Sequence, residues 1–462
     1  MHMTFLGAAG TVTGSKYLLQ HHDHHVLIDC GLFQGYKQLR LHNWDALPFP
    51  IGELDAIVLT HAHLDHSGYL PVLVRNGYRG PVYATPATCD LLKILLLDSG
   101  RLQEEEAEFA NRHGFSKHSP AAPLYTEQDA ERALKLLRPI ELHNRIEIVT
   151  GMTLQLRGAG HILGAATVEV VADGVTLVCS GDLGRPDDPL MFAPETIEQA
   201  DYLLVESTYG DRKHPAELPE EQLADVITRT ALRHGITLVP SFAVGRAQLL
   251  MYHLYRLKQQ HLIPDVPIYL NSPMATDVTT LYQRFRSEHR LTAQECEGMC
   301  HVVKFVRTTE DSIRLDQQRT PAVIIAASGM ATGGRVIHHL KALAPNPINT
   351  LLVPGFQAGG TRGAQIVAGA PSVRIHGKEV PIRAEVVPMQ SLSAHADADE
   401  IMQWLRGFKQ PPKHTYVVHG EPNASDVLRR RISLELGWSV SVPEYRDSVE
   451  LSATDHPSNI SG

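Results

Sequence analysis

The sequence predicts a mixed α/β protein whose layered strand-and-helix core is interrupted by a Rossmann-like parallel α/β unit. Three observations carry that reading. The opening part of the chain alternates short β-rich runs with turns, in "KYLLQ", "HVLID", "DAIVLT", "PVYAT", "TLQLRG", "TVEVVADGVTLVCSGD" and "DYLLVEST". Several of these follow the period of two that sends alternate side chains to opposite faces. From about residue 211 helix-like runs alternate with strands: "EEQLADVITRTALRHG", "ITLVP", "RAQLLMYHLYRLKQQ", "PIYLN", "TDVTTLYQRF", then "AVIIAAS", "GRVIHHLKAL" and "NTLLVPG". Strands separated by helices imply parallel crossovers. After about residue 390 a shorter tail, "EIMQWLRGF", "HTYVVHGE" and "DVLRRRISLEL", gives helix, strand and helix.

Within the opening part, "ADG" marks a hairpin turn, and helical patterns follow "THAHLDH" and fill "PATCDLLKILLLDSGRLQEEEAEFANRH". "QHHDHH" (20 to 25) lies between two strands and reads as an exposed hairpin rather than a metal site. The acidic run "QEEEAE" (103 to 108) reads as a solvated helix face, and "CEGMC" (296 to 300) as two cysteines one helical turn apart. There is no internal repeat or heptad array, and only the final "TDHPSNISG" is expected to fray.

With 462 residues, 43% hydrophobic and 20% charged, the chain is of ordinary globular composition and long enough for two or three domains. No apolar run approaches the roughly 20 residues needed to cross a bilayer, and the start lacks a basic segment leading into an apolar one. A soluble, cytoplasmic protein with no membrane partner is expected. Five cysteines are an odd number and suggest reduced thiols rather than a disulfide framework. A formal charge of −9 argues against a protein coated in positive charge, while leaving room for a local cationic groove.

The densest chemistry lies in "LTHAHLDHSGYL" (59 to 70). Neutral imidazole and carboxylate are ligands for zinc and similar ions, and a loop after a strand can turn several of them inward. A chance His-x-His-x-Asp-His match is on the order of 10⁻⁵ per starting position. His61, His63, Asp65 and His66 are therefore read as metal ligands. One such loop can seat parts of two ions without completing either shell. His161 in "GAGHILGA", Asp182 ending "TLVCSGD" and His419 ending "TYVVHGE" are candidates for the remainder.

Together, "HAHLDH", Asp29 in "LIDCG", His161 and Asp182 resemble the sequential motifs of the metallo-β-lactamase fold, and the segment from Glu206 onward resembles the β-CASP insertion of its nucleic-acid-cleaving branch. That branch includes endonuclease subunits of mRNA 3′-end processing and of Integrator, and the RNase J enzymes. The resemblance spans nearly the whole chain. It implies a metallo-β-lactamase αββα sandwich over residues 1–208 and 393–462, with a β-CASP domain inserted over 209–392 and the active site in the cleft between them. By position, His61, His63 and His161 would hold one zinc ion and Asp65, His66 and His419 the other. Asp182 would bridge two Zn2+ per chain, with Mn2+ as a substitute, and Asp29 would orient the histidine loop from behind.

The resemblance further implies attack on phosphorus by a metal-bridging hydroxide, in which Asp65 and Asp182 take part as ligands. "VESTYGDR" carries Glu206 and "SLSAHADADE" carries His395. His395 would protonate the departing 3′ oxygen, with Glu206 orienting it. Histidine at 419, where DNA-repair members have valine, points to single-stranded RNA. Endonucleolytic and 5′ exonucleolytic action are both open, homodimers are common in the family, and no dedicated protein partner is expected. A hydrolase of small esters or thioesters, a nuclease that needs a partner subunit and a catalytically silent scaffold are the other readings. The long insertion argues against the first, and the complete ligand set against the last.

Three glycine-rich turns at strand-to-helix junctions suggest an RNA-backbone track, since small residues let N–H groups face an anion. "PSFAVGRAQ" offers Ser241 and Arg246. "SGMATGGR" offers Ser328, Gly329, Gly333, Gly334 and Arg335. "GFQAGGTRG" offers Gly359, Gly360 and Arg362.

Overall fold

The computed structural model describes residues 1–114 and 118–453; the expected fraying at 454–462 lies outside them. The described chain divides into two compact units, residues 1–213 with 395 onward, and residues 214–394. These limits stand beside the boundaries at 208/209 and 392/393 expected from the sequence.

The first unit is built on two seven-stranded sheets. One runs, edge to edge, through Ser448–Glu450, His2–Phe5, Tyr17–His21, His24–Ile28, Leu54–Val58, Val82–Ala84 and Leu137–Pro139. The other runs through Val440–Ser441, His414–Val418, Tyr202–Glu206, Val175–Cys179, Ala166–Ala172, Met152–Gly158 and Arg145–Val149. Alternate residues of both enter one shared core, where Phe5, Val26, Ile28 and Val58 of the first sheet meet Leu154, Val168, Leu177 and Leu204 of the second. This is the sheet-on-sheet packing expected when each sheet has one apolar face to bury.

Helices cover the outer faces. Ala398–Leu405 and Pro422–Arg431 bury Ile401, Met402, Leu405 and Leu428 against Val178, Leu203 and Val417, the residues of the second sheet that alternate with its inner set. On the first sheet's side, Pro86–His113 starts at an N-cap where the Thr85 hydroxyl accepts from the Thr88 N–H, with Pro86 at the first helical position, and stops at left-handed Gly114. The hairpin expected at 20 to 25 forms between Tyr17–His21 and His24–Ile28. It is less exposed than the sequence suggested, because His21 shares the inward face with Tyr17 and Leu19 and is buried.

The second unit is a six-stranded, all-parallel sheet in the order Lys304–Phe305, Ile268–Asn271, Ala322–Ala326, Ile236–Pro240, Thr350–Pro354, Glu385–Met389. Its strands Ala322–Ala326, Ile236–Pro240 and Thr350–Pro354 are buried without alternation, as expected when helices cover both faces. A hairpin, Ser372–Ile375 with Lys378–Pro381, is added outside the sheet. Cys296 and Cys300 lie one turn apart on the helix Ala293–His301, as read from the sequence. Among the described residues no helix is long and apolar enough to cross a membrane.

Candidate metal centre

Strand direction brings the predicted ligands to one edge of the first unit. In the second sheet, Val175–Cys179, Tyr202–Glu206 and His414–Val418 run parallel, and Met152–Gly158 also ends there because Ala166–Ala172 is antiparallel to both neighbours. Their carboxyl ends release His161, Asp182, Glu206 and His419. The parallel pair His24–Ile28 and Leu54–Val58 of the first sheet releases Asp29 and the loop 59–66. That loop sits close under residue 31: a Cβ on Gly31 would lie 1.6 Å from the Asp65 carbonyl oxygen, so only glycine permits the approach.

His61, His63, His161 and Asp182 bring four ligand atoms within 4.8 Å of one another, and Asp65, His66 and His419 form a second such group. Ring nitrogens face ring nitrogens: His61 Nε2 is 3.1 Å from His63 Nδ1, His63 Nδ1 is 3.3 Å from His161 Nε2, and His66 Nε2 is 3.1 Å from His419 Nε2. Four ligands at about 2.0–2.1 Å in a tetrahedron lie roughly 3.3 Å from each other, so these spacings match what a zinc-sized cation requires. Asp182 divides its oxygens. Oδ2 is 3.4 Å from His61 Nε2 and 3.6 Å from His161 Nε2, while Oδ1 is 3.2 Å from His66 Nε2. Oδ1 is also buried without a hydrogen bond, an arrangement that a cation between it and His66 would satisfy. The donor set therefore fits metal on both sides of Asp182.

The surroundings fix each ring. Asp29 Oδ2 lies 2.7 Å from His66 Nδ1, turning Nε2 toward Asp182. Thr60 holds Asp29 in turn, its N–H donating to Oδ1 at 2.8 Å and its hydroxyl to Oδ2 at 2.9 Å, and His61 Nδ1 meets the same hydroxyl at 3.1 Å. The Thr208 hydroxyl lies 3.1 Å from His419 Nδ1. Burial, reinforced by neighbouring histidines, keeps His61 and His161 well below the usual histidine range, and His63 is lowered to about 4 chiefly by burial. These rings are neutral at pH 7 and present lone pairs. Burial also acts against a charged His66, but the Asp182 and Asp29 carboxylates outweigh it and raise its pKa.

Beside this cluster, His395 Nδ1 lies 3.1 and 3.2 Å from the two oxygens of Glu206 and 4.0 Å from Asp182 Oδ2. Glu206 is fully buried, and its oxygens accept from the Leu183 N–H at 2.7 Å and the Thr208 N–H at 3.2 Å. An isolated antiparallel bridge joins His395 to Gly184, and the Ala396 N–H donates to the Leu183 carbonyl. Burial opposes protonation of His395; the Glu206 charge, helped by Asp182, wins and raises the pKa above the ordinary value.

Sequence reasoning missed Thr60, Leu183 and Thr208. Thr60 directly precedes His61 and Thr208 stands two residues after Glu206, which was the available signal; the Leu183 N–H carries no side-chain signal at all.

The three glycine-rich turns follow Ile236–Pro240, Ala322–Ala326 and Thr350–Pro354, hence one edge of the second unit's sheet. Ser241 is buried, its N–H donating to the Ala326 carbonyl. The Ser328 hydroxyl accepts from the N–H groups of Thr332 and Gly333, folding that turn on itself, with Gly334 left-handed. Gly329 packs against Phe242, Gly333 has open space around its α-carbon, and Gly360 is left-handed. The arginines hold their own unit together. Arg246 is buried over Phe242 and donates to the Pro354 carbonyl. Arg335 donates to Asn271 Oδ1 and to the carbonyls of Val306 and Arg307, and Arg362 to those of Arg374, Ala331 and Thr332.

Three family models match the chain: the metallo-beta-lactamase superfamily over residues 9–221, the Beta-Casp domain over 247–366, and the Zn-dependent metallo-hydrolase RNA specificity domain over 379–443. Among curated proteins, Ribonuclease TTHA0252 of Thermus thermophilus is 39% identical over 457 residues, which cover 97% of this chain and 100% of that protein. Transcription termination factor FttA of Methanocaldococcus jannaschii is 33% identical over 93% of this chain and 69% of its own length. FttA of Pyrococcus abyssi is 32% identical over 98% and 71%. A crystal structure of a protein of unknown function from Enterococcus faecalis shares the fold, with a TM-score of 0.52 at 14% identity over 97% of this chain and 99% of that one.

Proposed function

Since the chain belongs to the metallo-β-lactamase superfamily, as a metallo-β-lactamase domain with an inserted β-CASP domain, and is a metal-dependent ribonuclease, we propose that it hydrolyses single-stranded RNA with two zinc ions held at the histidine loop and with His395 as general acid. The observation that carries this reading is Asp182, whose two oxygens face two separate groups of ligand atoms.

His61, His63 and His161 would hold one ion and Asp65, His66 and His419 the other, with Asp182 shared. The imidazole and carboxylate donors suit zinc, and manganese could replace it at some cost in fit. When bound, the paired ions supply a water acidic enough to attack phosphorus at neutral pH and offset the charge that develops on the phosphate.

The protein's own contribution is orientation and a proton. Asp29 and Thr60 hold the His66 and His61 rings, so ligand nitrogens need not reorganise as charge builds. Glu206, itself anchored by two backbone N–H groups, engages His395 Nδ1 and favours the imidazolium. Nε2 is then the nitrogen that delivers a proton to the departing 3′ oxygen. That transfer supports the leaving side of the reaction, where an alkoxide would otherwise have to depart uncompensated. The turns at Ser241, Ser328–Arg335 and Gly360–Arg362 would track the RNA backbone, with the arginines shaping the turns as well as adding charge. The five cysteines, all unpaired and four of them buried, fit work in the reducing cytoplasm.

Cleavage of matched 5′-labelled single-stranded RNA and DNA, beside His63→Ala as a control for contaminating nuclease, tests the proposal. RNA cleavage that disappears in the variant supports it, and the product ladder separates internal from terminal attack. Equal cleavage of both polymers would refute the RNA assignment, and cleavage that survives in the variant would remove the histidine loop from the chemistry.

A further inference from the structure

We propose a further metal site, remote in sequence from the histidine loop, formed by His21, His22 and Asp173 where two hairpin turns of the first unit meet. The first turn, at His22 and Asp23, links the strands Tyr17–His21 and His24–Ile28 of one sheet. The second, at Asp173 and Gly174, links Ala166–Ala172 and Val175–Cys179 of the other. His22 and Asp173 are both left-handed, with φ of 51° and 49°.

The ligand atoms converge. His22 Nε2 lies 3.5 Å and His21 Nε2 3.8 Å from Asp173 Oδ2, and the three residues have ligand atoms within 4.8 Å of one another. The two rings sit 4.2 Å apart. His21 supplies an independent observation. Its side chain is 3% exposed, it points inward with Tyr17 and Leu19, and its buried Nε2 has no hydrogen-bond partner. Buried polar atoms are nearly always satisfied, and here the unsatisfied nitrogen is the one aimed at Asp173. Burial, the largest influence on His21, lowers its pKa and favours the neutral ring, the form that can ligate a metal. Gly151, from a third turn, lies close by: a Cβ there would stand 3.6 Å from His21 Nε2.

Two imidazoles and one carboxylate select a borderline transition ion such as zinc over magnesium or calcium, which prefer all-oxygen shells. The His22 and Asp173 side chains are about two-thirds exposed, at 71% and 67%, so water completes the coordination. Such an ion would join the ends of the two sheets across the edge of their shared core, where no hydrogen-bonded ladder among the described residues connects them. The site would staple the fold rather than take part in catalysis.

The test is equilibrium dialysis of the full chain against micromolar free zinc, followed by metal quantification, for wild type and for the double variant His22→Ala/Asp173→Asn. The expected result is one more zinc per chain in wild type than in the variant, with the same ribonuclease rate in both. Cobalt as a second probe should show the same difference in visible absorbance. Because the readout is a difference, it stands whatever the histidine loop holds. Equal metal content in the two proteins would overturn the proposal, as would a difference that appears only at millimolar zinc. Zinc should also raise the melting temperature of wild type more than that of the variant; an identical response would overturn the stapling role.

Discussion

Glu206 is tied down before it meets His395, and that order gives the pair its chemistry. With the Leu183 and Thr208 N–H groups already on its oxygens, the carboxylate is a fixed charge that the imidazole must accommodate. Burial works against the imidazolium, and the Glu206 charge overcomes it. A raised pKa means that the proton-bearing ring is present below that pKa and is lost as pH rises through it. Glu206→Gln should therefore move the alkaline fall of kcat to lower pH and slow cleavage at neutral pH by roughly 10²-fold or more, the usual contribution of a positioned acid. A pH–rate profile with metal content measured alongside checks this; an unshifted alkaline limb would separate Glu206 from proton transfer. Asp182→Ala should lower occupancy on both sides of the centre together, and loss of only one ion would contradict its sharing. Thr60→Val should weaken metal binding about 10–100-fold through Asp29 and His61, without removing a ligand, as read by chelator competition. The convergence of these side chains was legible in the sequence because His61–His66 is too dense a cluster to be chance. Thr60 and Thr208 were not, since a threonine beside a motif looks like any other until its hydroxyl is seen to hold a ring.

At the level of elements, the site depends on close backbone approach as much as on ligands. Gly31→Ala would drive a methyl into the Asp65 carbonyl and displace the whole loop 59–66. The expected outcome is loss of metal and a lowered melting temperature in protein that still shows α/β circular dichroism. In the second unit, Arg335 bonds Asn271 and two carbonyls from the segment 306–307. Arg335→Ala should cost about 1–3 kcal/mol of stability by leaving those acceptors unpaired, measurable by denaturant titration, as well as weakening RNA binding. Weaker binding with unchanged stability would show that the arginine serves RNA alone. The central strands and the long helix Pro86–His113 were legible from periodicity. Leu137–Pro139, Arg145–Val149, Glu385–Met389 and Ser448–Glu450 were not among the strands read from the sequence. Most are short or half exposed, and all but Arg145–Val149 owe their identity to pairing with partners distant in sequence, as Ser448–Glu450 pairs with His2–Thr4. Period-two reasoning has no access to such pairing.

For the whole molecule, the first unit closes only when residues after 395 return, since the strand His414–Val418 and the proposed ligand His419 come from that part of the chain. Metal binding would thus couple to the fold: a buried set of converging nitrogens and carboxylates gains by binding a cation that the unfolded chain cannot match. Chelation should lower the melting temperature, and zinc should restore it; a chelation-insensitive melt would contradict that coupling. A net charge of −9 confines RNA attraction to local positive groups, so affinity should fall as salt rises, with a slope that reports a few phosphate contacts rather than many. The measurement that tests the division of labour most directly is metal content and cleavage rate of His395→Ala on two substrates, RNA and a phosphodiester with a nitrophenolate leaving group. Two ions per chain, slow RNA cleavage and near-normal release of nitrophenolate, which needs no proton to depart, are predicted. Loss of metal, or equal slowing on both substrates, would contradict His395 as the general acid.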